Sequence, residues 1–140
     1  MIVLLLIKRF RKCETIRRIQ ILTKIALVDF DGVLNDYSGE YDENELPKIK
    51  TGAKEFLEEL SQMYDIEIFT VRNKIKTICW LQKNNLTHLI KDVTNVKNPR
   101  ASIIVDDRAI NFDGDFKKVI NLSKDYQPYW KIKRDSSLTS

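Results

Sequence analysis

The chain has 140 residues, enough for one domain whose core folds without disulfides or a structural metal. Its hydrophobic share of 43% and charged share of 31% are those of an ordinary soluble protein, and its two cysteines exclude a disulfide-rich framework. With a single histidine, His88, the chain has little scope for histidine-based zinc sites or Ser-His-Asp triads. We therefore expect a cytoplasmic protein with free thiols, whose chemistry depends on carboxylates, lysine, threonine and arginine.

The net charge of +4 is concentrated in one part of the chain. Residues 1–24 carry seven lysines or arginines and one glutamate, a net charge of +6, which leaves −2 for residues 25–140. We therefore expect no clear nucleic-acid-binding face on the core of the protein.

Residues 1–23 are interpreted as a basic and apolar N-terminal extension. Their apolar run precedes the basic residues, which is the reverse of a secretory signal. That run is also far shorter than the roughly 20 residues of a membrane-spanning helix, so no transmembrane segment is predicted. Three interpretations stay open: a dispensable extension, an amphipathic segment that binds a partner, and a weak membrane-surface anchor.

From Lys24 onward, the hydrophobic pattern is typical of an alternating α/β domain. The strands predicted from short apolar runs are 25–28, 66–70, 89–93, 102–105 and a last one at 119–122. Two helices are predicted from apolar residues at helical spacing, one after an N-cap at Thr51 and one at 74–84. The residues expected to face the core are Ala53, Phe56, Leu57, Leu60 and Met63 in the first helix and Ile75, Ile78 and Cys79 in the second.

Polar and acidic residues follow three of the predicted strands. Asp-Phe-Asp-Gly at 29–32 follows the first strand, Thr70 ends the second, and Asp-Asp at 106–107 follows the fourth. Because open parallel sheets bind ligands at the carboxyl ends of their strands, we expect these residues to meet in one crevice. Lys97 lies in the loop before the fourth strand, from which its long side chain could reach the same place.

The residue types in this crevice suit the transfer of a phosphoryl group. Asp29 can act as a nucleophile that forms an aspartyl-phosphate, and Asp31 as a general acid and then a general base. Gly32 lets the backbone turn sharply and approach a ligand. Thr70 can donate a hydrogen bond to a phosphoryl oxygen, and Lys97 can neutralise negative charge.

The acidic pair at 106–107 predicts a magnesium site. Asp106 and Asp107 supply hard oxygen ligands for Mg²⁺, which Asp29, water and a substrate phosphate would complete. Without a cation, the carboxylates would repel a dianionic phosphate.

The order of these motifs along the chain resembles the four-motif pattern of the haloacid dehalogenase superfamily. That pattern is a strand with Asp-x-Asp-Gly, a strand with Thr, then Lys, then a strand with Asp-Asp, and the resemblance runs from Lys24 to Leu122. It implies a three-layer, doubly wound, Rossmann-like fold around a parallel sheet. It also implies a Mg²⁺-dependent phosphatase, a hydrolase of phosphate monoesters that works through an aspartyl-phosphate.

The resemblance assigns a role to each motif residue of this chain. The residues with implied catalytic roles are Asp29, Asp31 and Lys97. The implied metal ligands are Asp29, Asp31 through its backbone carbonyl, Asp106 and Asp107. The expected phosphate-binding residues are Gly32, Thr70 and Arg72. The acid at Asp31 argues against the dehalogenase branch, and Asn111 stands where many relatives have a further acid.

Several side chains near the motifs have two interpretations. Arg72 and Arg108 are as well placed for bidentate binding of a phosphate as for a salt bridge with a neighbouring acid. Four aromatic residues are interpreted as packing residues rather than a base-stacking platform: Trp80, Tyr126, Tyr129 and Trp130.

The loops leave no room for the cap domain that many members of the superfamily carry. We therefore predict a capless domain at 24–134, followed by a disordered tail at 135–140. The phosphorylated substrate is not specified, and a macromolecular phosphate is as open as a small ester. An oligomer in which a second subunit completes the site is also left open.

Two rival functions use similar residues. A receiver-type phospho-acceptor domain also needs aspartates, Mg²⁺, Thr and Lys, but there the acidic pair comes first along the chain, and here it comes last. A non-catalytic regulatory domain that retains the fold is the other alternative. A phosphomutase is disfavoured because that reaction needs a lid to exclude water.

Overall fold

The computed structural model describes residues 24–132. The predicted N-terminal extension at 1–23 and the predicted disordered tail at 135–140 lie outside the described residues, as do the last two residues of the predicted domain. None of the helices between residues 24 and 132 is long and apolar enough to cross a membrane.

Within this part of the chain, the strands form one four-stranded, all-parallel sheet. The strands are β1 (Ile25–Asp29), β2 (Asp65–Phe69), β3 (Ile90–Thr94) and β4 (Ala101–Val105). Their order across the sheet is β3-β2-β1-β4. The α/β prediction is confirmed, and the arrangement is compatible with a Rossmann-like fold. The four corresponding strand predictions are each correct to within one residue at either end.

Helix α1 (Ala53–Ser61) follows the long loop after β1. Its N-cap is Gly52, with φ of 85° and no side-chain cap, so the prediction that Thr51 caps this helix is wrong. The chain enters the helix through a left-handed residue, a conformation that glycine adopts without steric cost. As predicted, Leu57 and Leu60 are buried, whereas Met63 is exposed because the helix ends before it.

Helix α2 (Lys74–Lys83) has Asn73 as its N-cap, whose side chain accepts hydrogen bonds from two backbone N–H groups of the first turn. The predicted core face is wrong for two of its three residues, whereas the third, Ile78, is partly buried against the core. Ile75 is 73% exposed and Cys79 is exposed, whereas the buried residues are Thr77, Trp80 and Leu81.

Trp80 explains why α2 is rotated away from the predicted face. Its ring packs edge-to-face on Phe30 at a centroid distance of 4.9 Å, and its indole N–H donates to the carbonyl of Pro47 at 2.8 Å. A tryptophan buries more apolar area than an isoleucine and here also finds a partner for its N–H group. The largest side chain therefore sets the orientation of the helix.

Helix α3 (Phe116–Lys124) replaces the short strand predicted at 119–122, and that prediction is wrong. Asp115 caps this helix, because its carboxylate accepts from the N–H groups of Lys117 and Lys118 at 2.8 and 3.2 Å. Such an aspartate satisfies the free donors of a first helical turn and favours a helix over an extended strand. None of the residues of α3 is buried.

The two faces of the sheet differ. One face packs against α1 and α2 and forms the hydrophobic core with them. The core includes, from the strands, Ala26, Val28, Ile66, Ile68 and Val93 and, from the helices, Leu57, Leu60, Trp80 and Leu81. On the opposite face, Leu27 lies between Glu67 and Ile104, and Ile104 is 50% exposed. Leu27 itself is fully buried. No residue of α3 is buried or belongs to the core cluster, so a second helical layer is not shown within residues 24–132.

The orientation of α2 is tested by two truncations on the same helix. Leu81→Ala should lower the free energy of unfolding by about 2–5 kcal/mol, because it removes a fully buried side chain. Ile75→Ala should change it by no more than about 0.5 kcal/mol, as for an ordinary surface position. Urea denaturation of both variants measures the difference. If Ile75→Ala lowered the free energy of unfolding more than Leu81→Ala did, the helix face predicted from the sequence would be correct.

Candidate functional site

The carboxyl ends of β1 and β4 form the point where the chain reverses its direction across the sheet. From β1 the chain adds β2 and β3 on one side, and β4 then pairs with the other side of β1. Val28 of β1 pairs with Val105 of β4, so Asp29 and Asp106 come one residue later on adjacent strands. Such a switch point leaves a crevice at the strand ends, which is where parallel sheets bind ligands.

Three carboxylates meet in this crevice. Asp29, Asp106 and Asp107 each offer an oxygen, and the three oxygens lie within 4.8 Å of one another. All three residues are half-buried. The expectation that the first and fourth motifs come together is therefore met by the fold.

Burial and the neighbouring negative charges shift the pKa of one carboxyl group of the cluster, that of Asp29. The pKa of Asp29 is raised from 3.8 to about 7, first by burial and then by the negative charges of Asp106 and Asp107. A backbone hydrogen bond from Phe30 opposes the shift, and the charge of Asp31 adds to it. The cluster therefore holds a proton at pH values where an ordinary aspartate is fully ionised.

Asp107 has one carboxylate oxygen without a hydrogen bond. Its side chain is only 1% exposed. Oδ2 accepts from the indole N–H of Trp130, whereas Oδ1 is buried and has no hydrogen-bond donor. The guanidinium Nε of Arg108 is 3.7 Å from Oδ1, too far for a hydrogen bond.

These observations fit a hard divalent cation. A buried carboxylate oxygen without a donor carries a large desolvation cost that a metal ligand bond would offset. Clustered carboxylates supply the oxygen ligands that Mg²⁺ prefers. A positive charge among them would remove the repulsion that, after burial, raises the pKa of Asp29. Asp29, Asp106 and Asp107 are the residues that would hold it.

The turn after β1 is fixed by Asn35, a residue that the sequence analysis missed. The Asn35 amide donates to Asp31 Oδ1 at 2.9 Å, and its oxygen accepts from the Gly32 N–H at 3.1 Å. Gly32 has φ of 84°, and a Cβ on it would lie 2.5 Å from Asp107 Oδ2. Glycine is therefore required here by both conformation and space. Its N–H is engaged by Asn35 and is not free for a phosphate in this structure.

Arg72 takes the salt-bridge alternative that the sequence left open. Its Nε donates to both carboxylate oxygens of Asp31, at 2.9 and 2.7 Å, and its side chain is 3% exposed. Its Nη1 donates to the carbonyl of Asp42 at 2.7 Å. Arg72 therefore holds the carboxylate of Asp31. Its Nη2 is buried and has no hydrogen-bond partner, so the phosphate-binding role of Arg72 stays a prediction.

The loop 37–47 is fastened to the start of α2 rather than free. Its two ends run antiparallel, joined by a bridge between Asn35 and Ile49. In addition to Arg72, Lys76 binds this loop, donating to the carbonyl of Glu43 at 3.0 Å. The guanidinium of Arg72 also stacks over the ring of Tyr41 at 4.6 Å.

Thr70 lies where the second motif was expected, and Lys97 lies in the loop before β4, as expected. Thr70 is buried at the end of β2, and its Oγ1 accepts from the Arg72 N–H at 3.1 Å. Lys97 is exposed, and the groups that shift the pKa of Asp29 do not include it. The loop around it is fixed by Asn98, which donates to the buried carboxylate of Glu67 at 3.0 Å. The roles of Thr70 and Lys97 therefore stay predictions.

The aromatic residues of 126–130 contact the site, which their interpretation as packing residues did not include. The hydroxyl of Tyr126 donates to the backbone carbonyl of Asp107 at 2.6 Å. The hydroxyl of Tyr129 donates to the carbonyl of Gly32. Trp130 packs against Tyr37 at a centroid distance of 5.3 Å, in addition to its bond with Asp107. Trp80, in contrast, is a core residue as expected.

Comparison of the chain with protein-family models, with curated proteins and with solved structures found no match. The case for a function therefore depends on the residues of this chain and their geometry.

In metal-free protein, the raised pKa of Asp29 makes stability depend on pH. The folded state keeps the proton up to about pH 7, whereas the unfolded chain releases it near 3.8, so the folded state binds more protons between these values. The free energy of unfolding should therefore fall as pH rises through this window. Asp29→Asn, which cannot ionise, should lack this part of the pH dependence.

The measurement is urea denaturation in EDTA across that pH range for both proteins. Carboxylates outside the cluster titrate equally in the two proteins, so the difference between the profiles reports Asp29 together with its coupling to Asp106 and Asp107. Parallel profiles would show that burial and the neighbouring acids do not perturb this residue.

The buried pair between Arg72 and Asp31 is tested against an exposed pair. Arg72→Met leaves a buried carboxylate without its partner and should lower the free energy of unfolding by about 3–5 kcal/mol. Lys74→Met breaks the exposed pair with Asp92, whose atoms are 2.7 Å apart, and should cost at most about 1 kcal/mol. Urea denaturation of both variants gives the comparison, and equal losses would contradict the structural role of Arg72.

Proposed function

We propose that the protein is a Mg²⁺-dependent phosphatase that hydrolyses phosphate monoesters through an aspartyl-phosphate on Asp29. The observation that carries the proposal is the meeting of Asp29, Asp106 and Asp107 at the switch point, with one buried oxygen of Asp107 left without a donor. Acidic residues cluster on many protein surfaces, but an orphaned buried oxygen within such a cluster calls for a cation.

The proposal includes membership of the haloacid dehalogenase superfamily, as a capless member. The order of the motifs, with an acidic pair after β4 and Asp-x-Asp-Gly after β1, supports it. So does the strand order, which brings those two strand ends side by side. Within residues 24–132, the segment between β1 and β2 contains one short helix, and that between β2 and β3 contains one short helix and a 3₁₀ turn. The segment between β3 and β4 contains no helix, so none of the three forms a cap domain.

In the first half-reaction, a carboxylate oxygen of Asp29 attacks phosphorus. The bond from phosphorus to the ester oxygen breaks, and the leaving alkoxide takes a proton from the carboxyl group of Asp31. The products of this step are the free alcohol and a phosphorylated Asp29. Splitting one displacement into two gives each step a positioned nucleophile.

In the second half-reaction, water attacks the phosphorus of the aspartyl-phosphate. The carboxylate of Asp31 takes a proton from that water, the acyl-phosphate bond breaks, and inorganic phosphate leaves with Asp29 regenerated. Asp31 thus alternates between acid and base, with no net change over the cycle.

The contact with Arg72 bears on the acid role of Asp31. Both oxygens of Asp31 accept N–H donors from Arg72, which describes the base form of this residue. A carboxyl group that is protonated on one of these oxygens can still accept from Nε through the other oxygen. Arg72 therefore links the position of Asp31 to the loop 37–47 in both forms.

Mg²⁺, when bound, would supply positive charge to the phosphoryl oxygens and favour the ionised form of Asp29. The hydroxyl of Thr70 accepts from Arg72 and keeps its own proton for a phosphoryl oxygen. Lys97, exposed in the loop before β4, is the proposed side chain that neutralises charge on the transferred group. The substrate is a phosphate monoester whose organic group is open, from a small ester to a phosphorylated macromolecule.

The nucleophile is tested with Asp29→Asn and a matched change elsewhere. With a chromogenic phosphate ester and Mg²⁺, Asp29→Asn should lose at least ~10³-fold in kcat, as expected for a residue that acts within a catalytic unit. Asp125→Asn makes the same chemical change at an exposed position beyond α3 and should retain full activity. EDTA should abolish the activity of the wild type, and Mg²⁺ should restore it.

The outcome decides between the functions. A folded Asp29→Asn protein with a tenth of wild-type activity would remove Asp29 as the nucleophile. Full wild-type activity in excess chelator would exclude the Mg²⁺-dependent mechanism. Stable phosphate on Asp29 without turnover, detected by mass spectrometry after incubation with a phosphoryl donor, would favour the receiver-type alternative.

A further inference from the structure

The segment 126–130, which we name the aromatic clasp, binds two residues of the proposed site. Trp130 and Tyr126 both donate to Asp107, one to the carboxylate and the other to the backbone carbonyl. Tyr129 donates to the carbonyl of Gly32 in the turn after β1. Three ring donors of one short segment thus converge on the crevice between β1 and β4.

The contact of Trp130 determines which oxygen of Asp107 is left over. Because the side chain of Asp107 is only 1% exposed, water cannot satisfy its oxygens. The indole N–H satisfies Oδ2, and Oδ1 is left without a donor. The bond from Tyr126 to the backbone of the same residue, at 2.6 Å, restricts it from a second side. The carboxylate is therefore held in one orientation, with one oxygen unpaired.

The clasp is itself fixed by packing. The ring of Trp130 meets Tyr37 edge-on at 5.3 Å and lies against Gly39, where a Cβ would come within 2.7 Å of the ring. The ammonium group of Lys50 lies 4.4 Å from the centroid of the Tyr129 ring. A donor held on several sides can position its acceptor, whereas a mobile donor cannot.

We propose that Trp130 is a positioning residue for the metal centre, which orients Asp107 so that its unpaired oxygen is presented to Mg²⁺, with Tyr126 supporting the same residue. This inference rests on the proposed function. Outer partners that fix the orientation of a metal ligand typically contribute 10- to 100-fold to metal affinity. Trp130 would not contact the substrate or the reacting atoms.

The test is the Mg²⁺ affinity of Trp130→Phe, measured by calorimetric titration of the full chain and by Mg²⁺-dependent thermal stabilisation. Phenylalanine keeps an aromatic ring but has no N–H, so the dissociation constant for Mg²⁺ should rise roughly 10- to 100-fold. With the chromogenic ester, kcat at saturating Mg²⁺ should be largely retained, because excess metal compensates for a poorly oriented ligand.

Trp80→Phe is the matched control. It also removes an indole N–H with a backbone partner, but that partner is Pro47 and not one of the three clustered aspartates. This variant should lower the melting temperature and leave the Mg²⁺ dissociation constant unchanged. Tyr126→Phe is a second, milder variant at a residue that is 39% exposed, and it should weaken Mg²⁺ binding roughly threefold to tenfold.

Weaker Mg²⁺ binding in both clasp variants, with unchanged binding in Trp80→Phe, would support the inference. Mg²⁺ binding by Trp130→Phe within about twofold of the wild type would overturn it, since an orienting partner contributes more than that. In that case, Mg²⁺-dependent hydrolysis of the ester by the wild type would still support the proposed function. A wild type that neither binds Mg²⁺ nor hydrolyses the ester would overturn both.

Discussion

The mutual repulsion of three aspartates in a half-buried crevice is the constraint on which the rest of the site depends. Parallel pairing of β1 with β4 brings Asp29 beside Asp106 and Asp107, and partial burial reduces the screening of their charges by water. The raised pKa of Asp29 shows that this arrangement disfavours the ionised form of its carboxyl group. A proton relieves the repulsion in part, and a divalent cation would relieve it fully, so the same feature that strains the free protein favours the bound ion.

The structure separates two kinds of acid that lie close together in sequence. Asp29 lies among other acids. Asp31, two residues later, forms an ion pair with the buried guanidinium of Arg72 and accepts a hydrogen bond from the amide of Asn35. Different environments for two carboxylates are what a nucleophile and an acid/base partner need. The same guanidinium also binds the carbonyl of Asp42, so the environment of Asp31 is coupled to the position of the loop 37–47.

The sequence predicted the elements that local pattern determines. Apolar runs located the four strands, and the acids at their ends located the triad, because parallel strands bring their carboxyl ends together. The face of α2 and the identity of α3 were wrong, since a single large side chain, Trp80, and a single cap, Asp115, outweighed the average pattern. The contact of Trp130 with Asp107 could not be predicted for another reason. The two residues are 23 positions apart, and no periodic pattern in the sequence connects them.

The contact between Tyr129 and Gly32 joins residues 97 positions apart, and this has a consequence for how the protein is made. On the ribosome, β4 and its two aspartates emerge before residues 126–130 do, so the sheet can close around an acidic crevice that nothing yet holds in shape. Contacts so distant in sequence form late, because the chain between them must first be ordered. A nascent chain would thus carry a complete sheet for some time before residues 126–130 reached the crevice, which separates closure of the sheet from the fixing of its acidic edge.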